Sequence, residues 1–485
     1  MLKRRIFALF AAFILLLTCV IGCENVEYID TTSVEESSQN IYEKLESELP
    51  DISGDENGNP IERTFTIVTD KKSVFYNEES TSGSVEKAVE ARANFLQDKY
   101  GATLDVKQKG SSAVASELKT ALESGLEYAD MLCISAKETV KLQISGLLTD
   151  MNTLPDFNIE SAYFDPNNAK NLATNQTLYL LPDATAQVYE DAYVMFFNRD
   201  LVNTKAGKDP ETLVMQGKWT WDSFNEIARA SAPDVYNKSI AELETDIFGY
   251  AAYFSEGVFP YVMWVGTGSK VINNNYKNPV ALSMSVEEIT DIAKVLKNIY
   301  NTKGRYPLVK NETTSAFESG RVAFLCHRLD YFYALRDGTT KGANYGILPI
   351  PKLNDSQKGY HTMVSSEARV FSVPKTVANN SEEDRRFVSA VISATCASGR
   401  ETVKKAFLNH HIALYLNNNA ETVMFTTILD SITFDFANTY GDAISSIRRP
   451  TTTAINDYIE FGSALNTSIN NSISGFNKYC EDNFN

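Results

Sequence analysis

Asp191 stands inside the otherwise apolar run Gln187–Phe197. A carboxylate in such a run is costly to bury unless it is paired or used. Alternation along an extended chain places Tyr189 on the face of Asp191 and Glu190 on the opposite one. Asp70 in Thr69-Asp70-Lys71, and Ser135 and Lys137 in Ser135-Ala136-Lys137, follow short apolar runs that read as strands. Ligands of open α/β sheets sit beyond the carboxyl ends of strands, so both turns are candidate contacts. Asp70 is suited to accept hydrogen bonds from ligand hydroxyls or, more plainly, to cap the next helix. Lys137 reads more readily as a surface lysine. His327, Arg328 and Tyr331 follow the strand-like run Arg321–Leu325. His327 is a ligand contact or a packing imidazole, and Arg328 is a partner for a ligand carboxylate or for Asp330. Tyr261 and Trp264 lie in the apolar stretch Phe259–Val265, ahead of Gly266-Thr267-Gly268. Such rings stack on the C–H faces of sugars, or else fill a core. Trp219 and Trp221 flank Thr220, a helix N-cap, and read as helix packing.

Other chemistry finds little support. The histidines are His327, His361, His410 and His411; the adjacent last two cannot share a helical face, and no HExxH spacing occurs. No GxSxG elbow, P-loop or GxGxxG in a strand-to-helix setting is present. No CxxC exists, so a zinc or redox centre is not expected. Cys133 and Cys326 sit in apolar runs as small hydrophobes, and a disulfide among Cys133, Cys326, Cys396 and Cys480 stays open. We therefore expect no catalytic residues, no metal and no cofactor. The 485 residues carry 45 Lys and Arg against 62 Asp and Glu, a net charge of −17. That balance argues against nucleic-acid binding, which needs clustered cations.

The elements that must position these residues alternate. Arg63–Thr69, Thr103–Lys107 and Asp130–Ser135 read as strands. Between them, Ser84–Tyr100 and Ala113–Ser124 have helical spacing and stop at Gly101 and Gly125. A helix over Lys137–Ile144 follows. This β-α-β-α-β order predicts a parallel sheet with helices on its faces. Further helices are expected over Thr220–Ala230, Val286–Ile299, Ala316–Ser319, Ser381–Thr395, Ala420–Phe434 and Thr453–Leu465, with strands over Gln187–Phe197, Arg321–Leu325, Tyr345–Pro349 and Arg369–Val373.

The N-terminus has its own logic. Lys3, Arg4 and Arg5 precede the apolar run Ile6–Val20, which ends in Val20-Ile21-Gly22-Cys23. A charged start, an apolar stretch too short to span a bilayer, and a small residue before cysteine resemble the lipobox of bacterial lipoproteins. The resemblance implies a signal peptide over 1–22 and a lipidated Cys23, whose acyl chains anchor the protein to the outer face of the cell membrane. Glu24–Pro60 holds eleven acidic residues and one Lys. Its composition reads as a flexible acidic tether over 23–60.

Six stretches in order resemble the extracellular solute-binding proteins of ABC importers, in the family 1 group that includes maltose-binding protein. They are Ser145-Gly-Leu-Leu-Thr-Asp150, Tyr193-Val-Met-Phe-Phe-Asn-Arg-Asp200, Trp219-Thr-Trp-Asp-Ser-Phe224, Phe317-Glu-Ser-Gly-Arg-Val-Ala-Phe324, Tyr345-Gly-Ile-Leu-Pro-Ile-Pro351 and Phe371-Ser-Val-Pro-Lys375. The resemblance spans roughly residues 61–400. It implies an α/β, two-lobed periplasmic-binding-protein-like (type II) fold with central mixed sheets, hinge strands and an interlobe cleft. It implies an N-terminal lobe of 61–190 plus 352–398 and a C-terminal lobe of 191–351 plus 399–485. Crossings are expected near Thr185–Tyr193, Leu348–Pro351 and Ser398–Glu401. Asp70, Ser135, Lys137, Asp191 and Trp264 fall where the family places cleft residues, as do His327 and Tyr331 after their strand. The implied function is capture of a small ligand, foremost a sugar or oligosaccharide, by hinge closure, and its delivery to an ABC permease. A monomer is expected. A peptide, a polyamine or an acidic sugar in the same fold, or a lipid-anchored secreted hydrolase, are the alternatives.

Overall fold

A computed structural model describes residues 34–75, 83–174, 177–182, 186–252, 258–270, 272–273, 281–282, 285–307, 312–337, 344–415 and 418–441, with isolated positions between 467 and 478. The lipobox with Cys23, Cys480, and the helix expected over Thr453–Leu465 lie outside the described residues.

The chain forms two compact units, Met1–Ser47 and Glu48–Asn485. A helix runs over Val34–Glu48, within the stretch that composition reads as a flexible tether. In the larger unit, the residues that follow are fastened. Leu49 is buried, the Pro50 carbonyl accepts a hydrogen bond from the Tyr100 hydroxyl at 2.9 Å, and Asp51 lies 3.0 Å from Lys99 Nζ. Ile41, Leu45 and Leu49 recur every four residues. That helical spacing holds even though charge dominates the overall composition.

In the larger unit, β1 (Arg63–Thr69) is followed by the helix Ser84–Tyr100, β2 (Ala102–Gln108), the helix Ser111–Glu123, β3 (Met131–Ser135), the helix Ala136–Ile144 and β4 (Leu148–Thr149). The periodicity of Ser84–Tyr100 predicts this helix to the residue. Gly101 ends it at φ +66°, and a Cβ there would sit 2.4 Å from the Ile61 carbonyl oxygen, so only glycine fits. β1 pairs in parallel with β2 and β3, as the alternating pattern predicts, and all five residues of β3 are buried.

The chain then builds β5 (Tyr193–Asn198), β6 (Phe248–Ala252), a small hairpin of β7 (Ile272–Asn273) and β8 (Ala281–Leu282), β9 (Val322–Arg328) and β10 (Tyr345–Leu348). It returns through β11 (Thr362–Met363) and β12 (Arg369–Pro374), and ends its described part with β13 (Ile432–Thr433) and the helix Phe436–Tyr440. The first sheet has the order β2-β1-β3-β12-β4 and the second β10-β5-β9-β6. Both are mixed. β12 lies antiparallel between β3 and β4, and β9 lies antiparallel to β5 but parallel to β6.

The second sheet's helical layer is aromatic. Thr220 caps the helix Trp221–Ser231 in a reciprocal arrangement with Ser223. Both flanking tryptophans are buried, and Trp219 donates its indole N–H to the Pro349 carbonyl at 2.9 Å. Phe224 packs against Trp219, Tyr250 and Phe324 with ring centroids 5.1–5.9 Å apart. Cys133, Cys326 and Cys396 are buried and unbridged. Among the described residues, no helix is long and apolar enough to cross a membrane.

Two connections differ from expectation. The run Gln187–Phe197 is not one strand: Ala186–Asp191 forms a 3-10 helix, and β5 starts only at Tyr193. The chain also does not leave the first sheet's helices near Ser398–Glu401. Gly399–Val403 is a π-helical turn joining Glu382–Ser398 to Lys404–Tyr415, and Lys404–Tyr415 still packs on Ser84–Tyr100. Among the described residues, Asn419–Asp430 is the later helix that packs on β10 and on the helix Pro210–Met215.

Candidate functional site

The carboxyl end of β1 delivers Asp70 and Lys71. Register brings Arg369, the first residue of β12, opposite Ser135 at the end of β3. From there its Nε donates to Asp70 Oδ1 at 2.6 Å. Ser111 Oγ donates to the other Asp70 oxygen at 3.4 Å. From the second sheet, β9 ends in Arg328, paired with Tyr193 of β5. Its guanidinium forks between Asp191 at 3.0 Å and Asp330 at 2.8 Å. The backbone locks this corner: Leu329 N–H donates to the Ala192 carbonyl, Asp330 N–H to that of Glu190, and Ser365 N–H to that of Asp191.

Glu190 joins the two halves. It accepts a hydrogen bond from the Tyr333 hydroxyl at 3.0 Å and lies 3.9 Å from Lys71 Nζ. Cations and carboxylates from both sheets therefore meet at one place and largely neutralise each other. Burial pushes Asp191 up to about 6, more than Arg328 pulls it down. Glu190 is raised by burial against the pull of Lys71, and Asp330 is raised by burial against Arg328. These carboxylates hold their protons more firmly than exposed ones, while the cluster keeps an open side: Lys71 is 44% exposed and Arg328 32%.

Of the residues singled out in the sequence, Asp70, Asp191 and Arg328 come to this cluster. Ser135 is buried beneath it, opposite Arg369 in the β3–β12 register. Lys137 pairs with Glu367, in keeping with the plainer reading of a surface lysine. Tyr189 does not share the face of Asp191. Its ring packs 5.8 Å from that of Phe407, while Glu190, expected on the opposite face, reaches the cluster. The 3-10 turn explains both corrections, because successive residues rotate by a third of a turn instead of a half. His327 is buried, its ring 4.4 Å from that of Tyr331. Burial pushes its pKa down to about 4, so the imidazole is neutral at physiological pH. Tyr331 donates to Glu318 at 2.5 Å and packs edge-on to Phe196.

Tyr261 and Trp264 are both fully buried. Tyr261 donates at 2.7 Å to Asp435, whose other role is to cap the helix Phe436–Tyr440. The turn after Trp264 also serves packing: Gly268 has φ +74°, and a Cβ there would lie 2.8 Å from His361 Nε2. In this conformation neither ring offers a stacking face to solvent.

Arg369, Tyr333 and Ser365 escaped the sequence reading, which names Glu190 but puts it on the wrong face. Arg369 opens a predicted strand, but nothing local shows that this strand inserts beside β3. Asp330 and Lys71 were visible as neighbours of Arg328 and Asp70. Among the described residues, no group of three or more His, Cys, Asp or Glu is placed to hold a metal ion.

Comparison with known proteins fits this architecture. Similar solved structures include the cyclic alpha-maltosyl-1,6-maltose binding protein from Arthrobacter globiformis, at 13% identity and TM-score 0.58, covering 86% of this chain and 100% of that one. A cyclo/maltodextrin-binding protein complexed with maltotetraose matches at 14% identity and TM-score 0.53, over 87% and 98%. The sugar-binding protein MalE from Xanthomonas citri matches at 13% and 0.52, over 87% and 98%. No curated relative matches the sequence. Identities this low speak for the fold alone. The profile of the bacterial extracellular solute-binding protein family, however, matches residues 77–395. With that match over most of the chain, and with two mixed sheets whose strand ends share one charged cluster, the chain belongs to the bacterial extracellular solute-binding proteins, receptors of ABC importers that bind a small solute without transforming it.

Proposed function

We propose that the protein captures a neutral sugar or oligosaccharide between its two sheets, at the cluster of Asp70, Lys71, Glu190, Asp191, Arg328, Asp330 and Arg369, and delivers it to an ABC permease. One observation carries this reading: the cations and carboxylates at the strand ends answer one another, leaving a polar surface of nearly balanced charge. Such a surface suits hydroxyls, which both donate and accept, better than it suits an ion of either sign. The names of the similar sugar-binding structures point the same way. Ser135 and Lys137, at and just after the end of β3, and His327 and Tyr331, on either side of Arg328 in the chain, flank the cluster, while Tyr189 packs on Phe407 instead. Tyr261 and Trp264 become ligand contacts only if the molecule opens further. Closure of one sheet's lobe on the other is selected because only the closed form touches ligand from both sides. Cys23 carries the lipid that holds the receptor at the outer face of the membrane.

Thermal-shift screening of the chain against sugars, peptides and polyamines tests the ligand class, since a compound that binds only the native state raises the melting temperature. A shift with neutral oligosaccharides alone is the expected result. Shifts confined to polyamines or peptides would move the ligand class, and cleavage of a glycoside without any shift would end the receptor reading. Incorporation of labelled palmitate, lost in Cys23→Ser, tests the anchor.

A further inference from the structure

A cavity of about 350 Å³ opens on the second sheet's side, between the helix Pro233–Asn237, the start of β6 and the segment after the helix Val286–Tyr300. Lys238, Lys303 and Arg305 line it, with Ser239 and Thr302 beside them and Phe248 on its floor. No acidic residue is among the described residues that line it. In a chain of net charge −17, three cations around one opening need a reason.

The three are not equivalent. Lys238 is already paired with Asp246, and Glu242 and Asp234 also act on it. Among the described residues, Lys303 reaches the Lys238 carbonyl, at 3.4 Å. Arg305 lies flat on Tyr300, its Cζ 4.0 Å from the ring centroid. Arg63, Arg199, Arg328, Arg369 and Arg386 each meet a carboxylate. Arg305 meets none among the described residues, and its Nη1 is buried with no hydrogen-bond partner. A buried guanidinium N–H without an acceptor is costly, and the stacking on Tyr300 holds the group where it is.

We propose that this cavity is a second binding site, separate from the cluster at the strand ends, for a phosphate ester. Lys303 and Arg305 take the phosphate, Ser239 and Thr302 add hydroxyls, and the small organic body rests over Phe248. Arg presents a planar fork that matches tetrahedral oxyanions, and the volume is that of a small-molecule pocket and not of a bare ion site. The phosphate belongs either to a free ester or to a phospholipid headgroup. The exposed Ile240, between Ser239 and Ala241 at the rim, offers an apolar contact for the second.

Titration calorimetry of the full chain with inorganic phosphate and with glycerol phosphate, and co-sedimentation with phosphatidylglycerol or phosphatidylcholine vesicles, test this. Saturable binding of at least one phosphate probe is expected, weakened about tenfold or more by Arg305→Gln and by Lys303→Gln, because a charge-assisted contact is lost in each. Asp191→Asn, in the other cluster, should leave it unchanged. Binding of soluble esters points to a free ligand, and binding only to phosphatidylglycerol vesicles points to a headgroup. Lys303 is exposed, so its variant keeps the test valid if Arg305→Gln fails to fold. Absence of saturable binding with every probe, or equal binding by wild type and Lys303→Gln, overturns the proposal.

Discussion

Arg199 and Arg328 each hold two carboxylates, yet they sit in opposite surroundings. Arg199 takes Glu211 through both of its terminal nitrogens at 2.6 and 2.7 Å, and Glu421 at 2.8 Å. The three side chains are 12%, 6% and 3% exposed, and the guanidinium also lies over the Phe197 ring. Arg328 divides between Asp191 and Asp330 with side chains 32%, 13% and 35% exposed. The closed triad ties the helix Asn419–Asp430 to the helix Pro210–Met215, joining chain more than 200 residues apart. The half-open triad lies where residues from the ends of the two sheets meet, and it keeps a third of the Arg328 and Asp330 side chains in water. The same three chemical groups thus form a rivet where water is excluded and a looser, partly wet contact, the one we propose for ligand capture, where it is not.

The largest expected effect breaks the rivet. Arg199→Ala strands two buried carboxylates and should cost about 3–5 kcal/mol of stability, read from the urea midpoint. A loss below about 1 kcal/mol would mean that Asn419–Asp430 is held by packing alone. Arg328→Ala should do the reverse. We expect affinity for the sugar found by screening to fall ten- to a hundredfold, about 1–3 kcal/mol, with stability changed by about 1 kcal/mol or less. Calorimetry beside denaturation separates the two, and equal damage to folding and binding would erase the distinction.

A pH series sharpens the contrast. The native pKa of Asp191 is raised, so its proton favours the folded state. Relative to Asp191→Asn, the wild-type chain should be at its best below the unfolded carboxyl value of about 3.9. That advantage drains away as pH rises through about 6, where the group must ionise in place. Glu190 and Asp330 shift in the same direction but titrate in both proteins, so the difference between the two stability curves isolates Asp191. A flat difference would show that the fold leaves the Asp191 pKa at its unfolded value, and stability gained with rising pH would show that Arg328 outweighs burial. The smallest effect belongs to the long, half-exposed Lys71–Glu190 contact. Lys71→Ala should change stability by less than about 1 kcal/mol, and salt should erase what remains. A larger, salt-resistant effect would make that contact a rivet too.

Much of this was legible in the residues. Ser84–Tyr100 appears as a helix because its apolar positions repeat at helical spacing and Gly101 stops it. Asp130–Ser135 reads as a buried strand from its apolar run, and the structure starts it one residue later; Thr220 reads as a cap from its place before an apolar helix. Asp191 announced itself as a charge in an apolar stretch. Its neighbours did not, because the 3-10 turn over Ala186–Asp191 has no periodicity that six residues can display. Arg369 was silent for a different reason: Asp70, its partner, lies 299 positions earlier.

The sequence by itself determined the local elements, the alternation that makes parallel pairing of β1, β2 and β3 favourable, and the family. These depend on spacing within a turn or two of chain, where the hydrophobic effect and backbone geometry act on near neighbours. Only the tertiary structure decided which carboxylates meet which cations, which arginine is sealed and which stays wet, and that Tyr261 and Trp264 are buried. The strength of a charge depends on the water around it, and water is excluded by parts of the chain that local pattern cannot place.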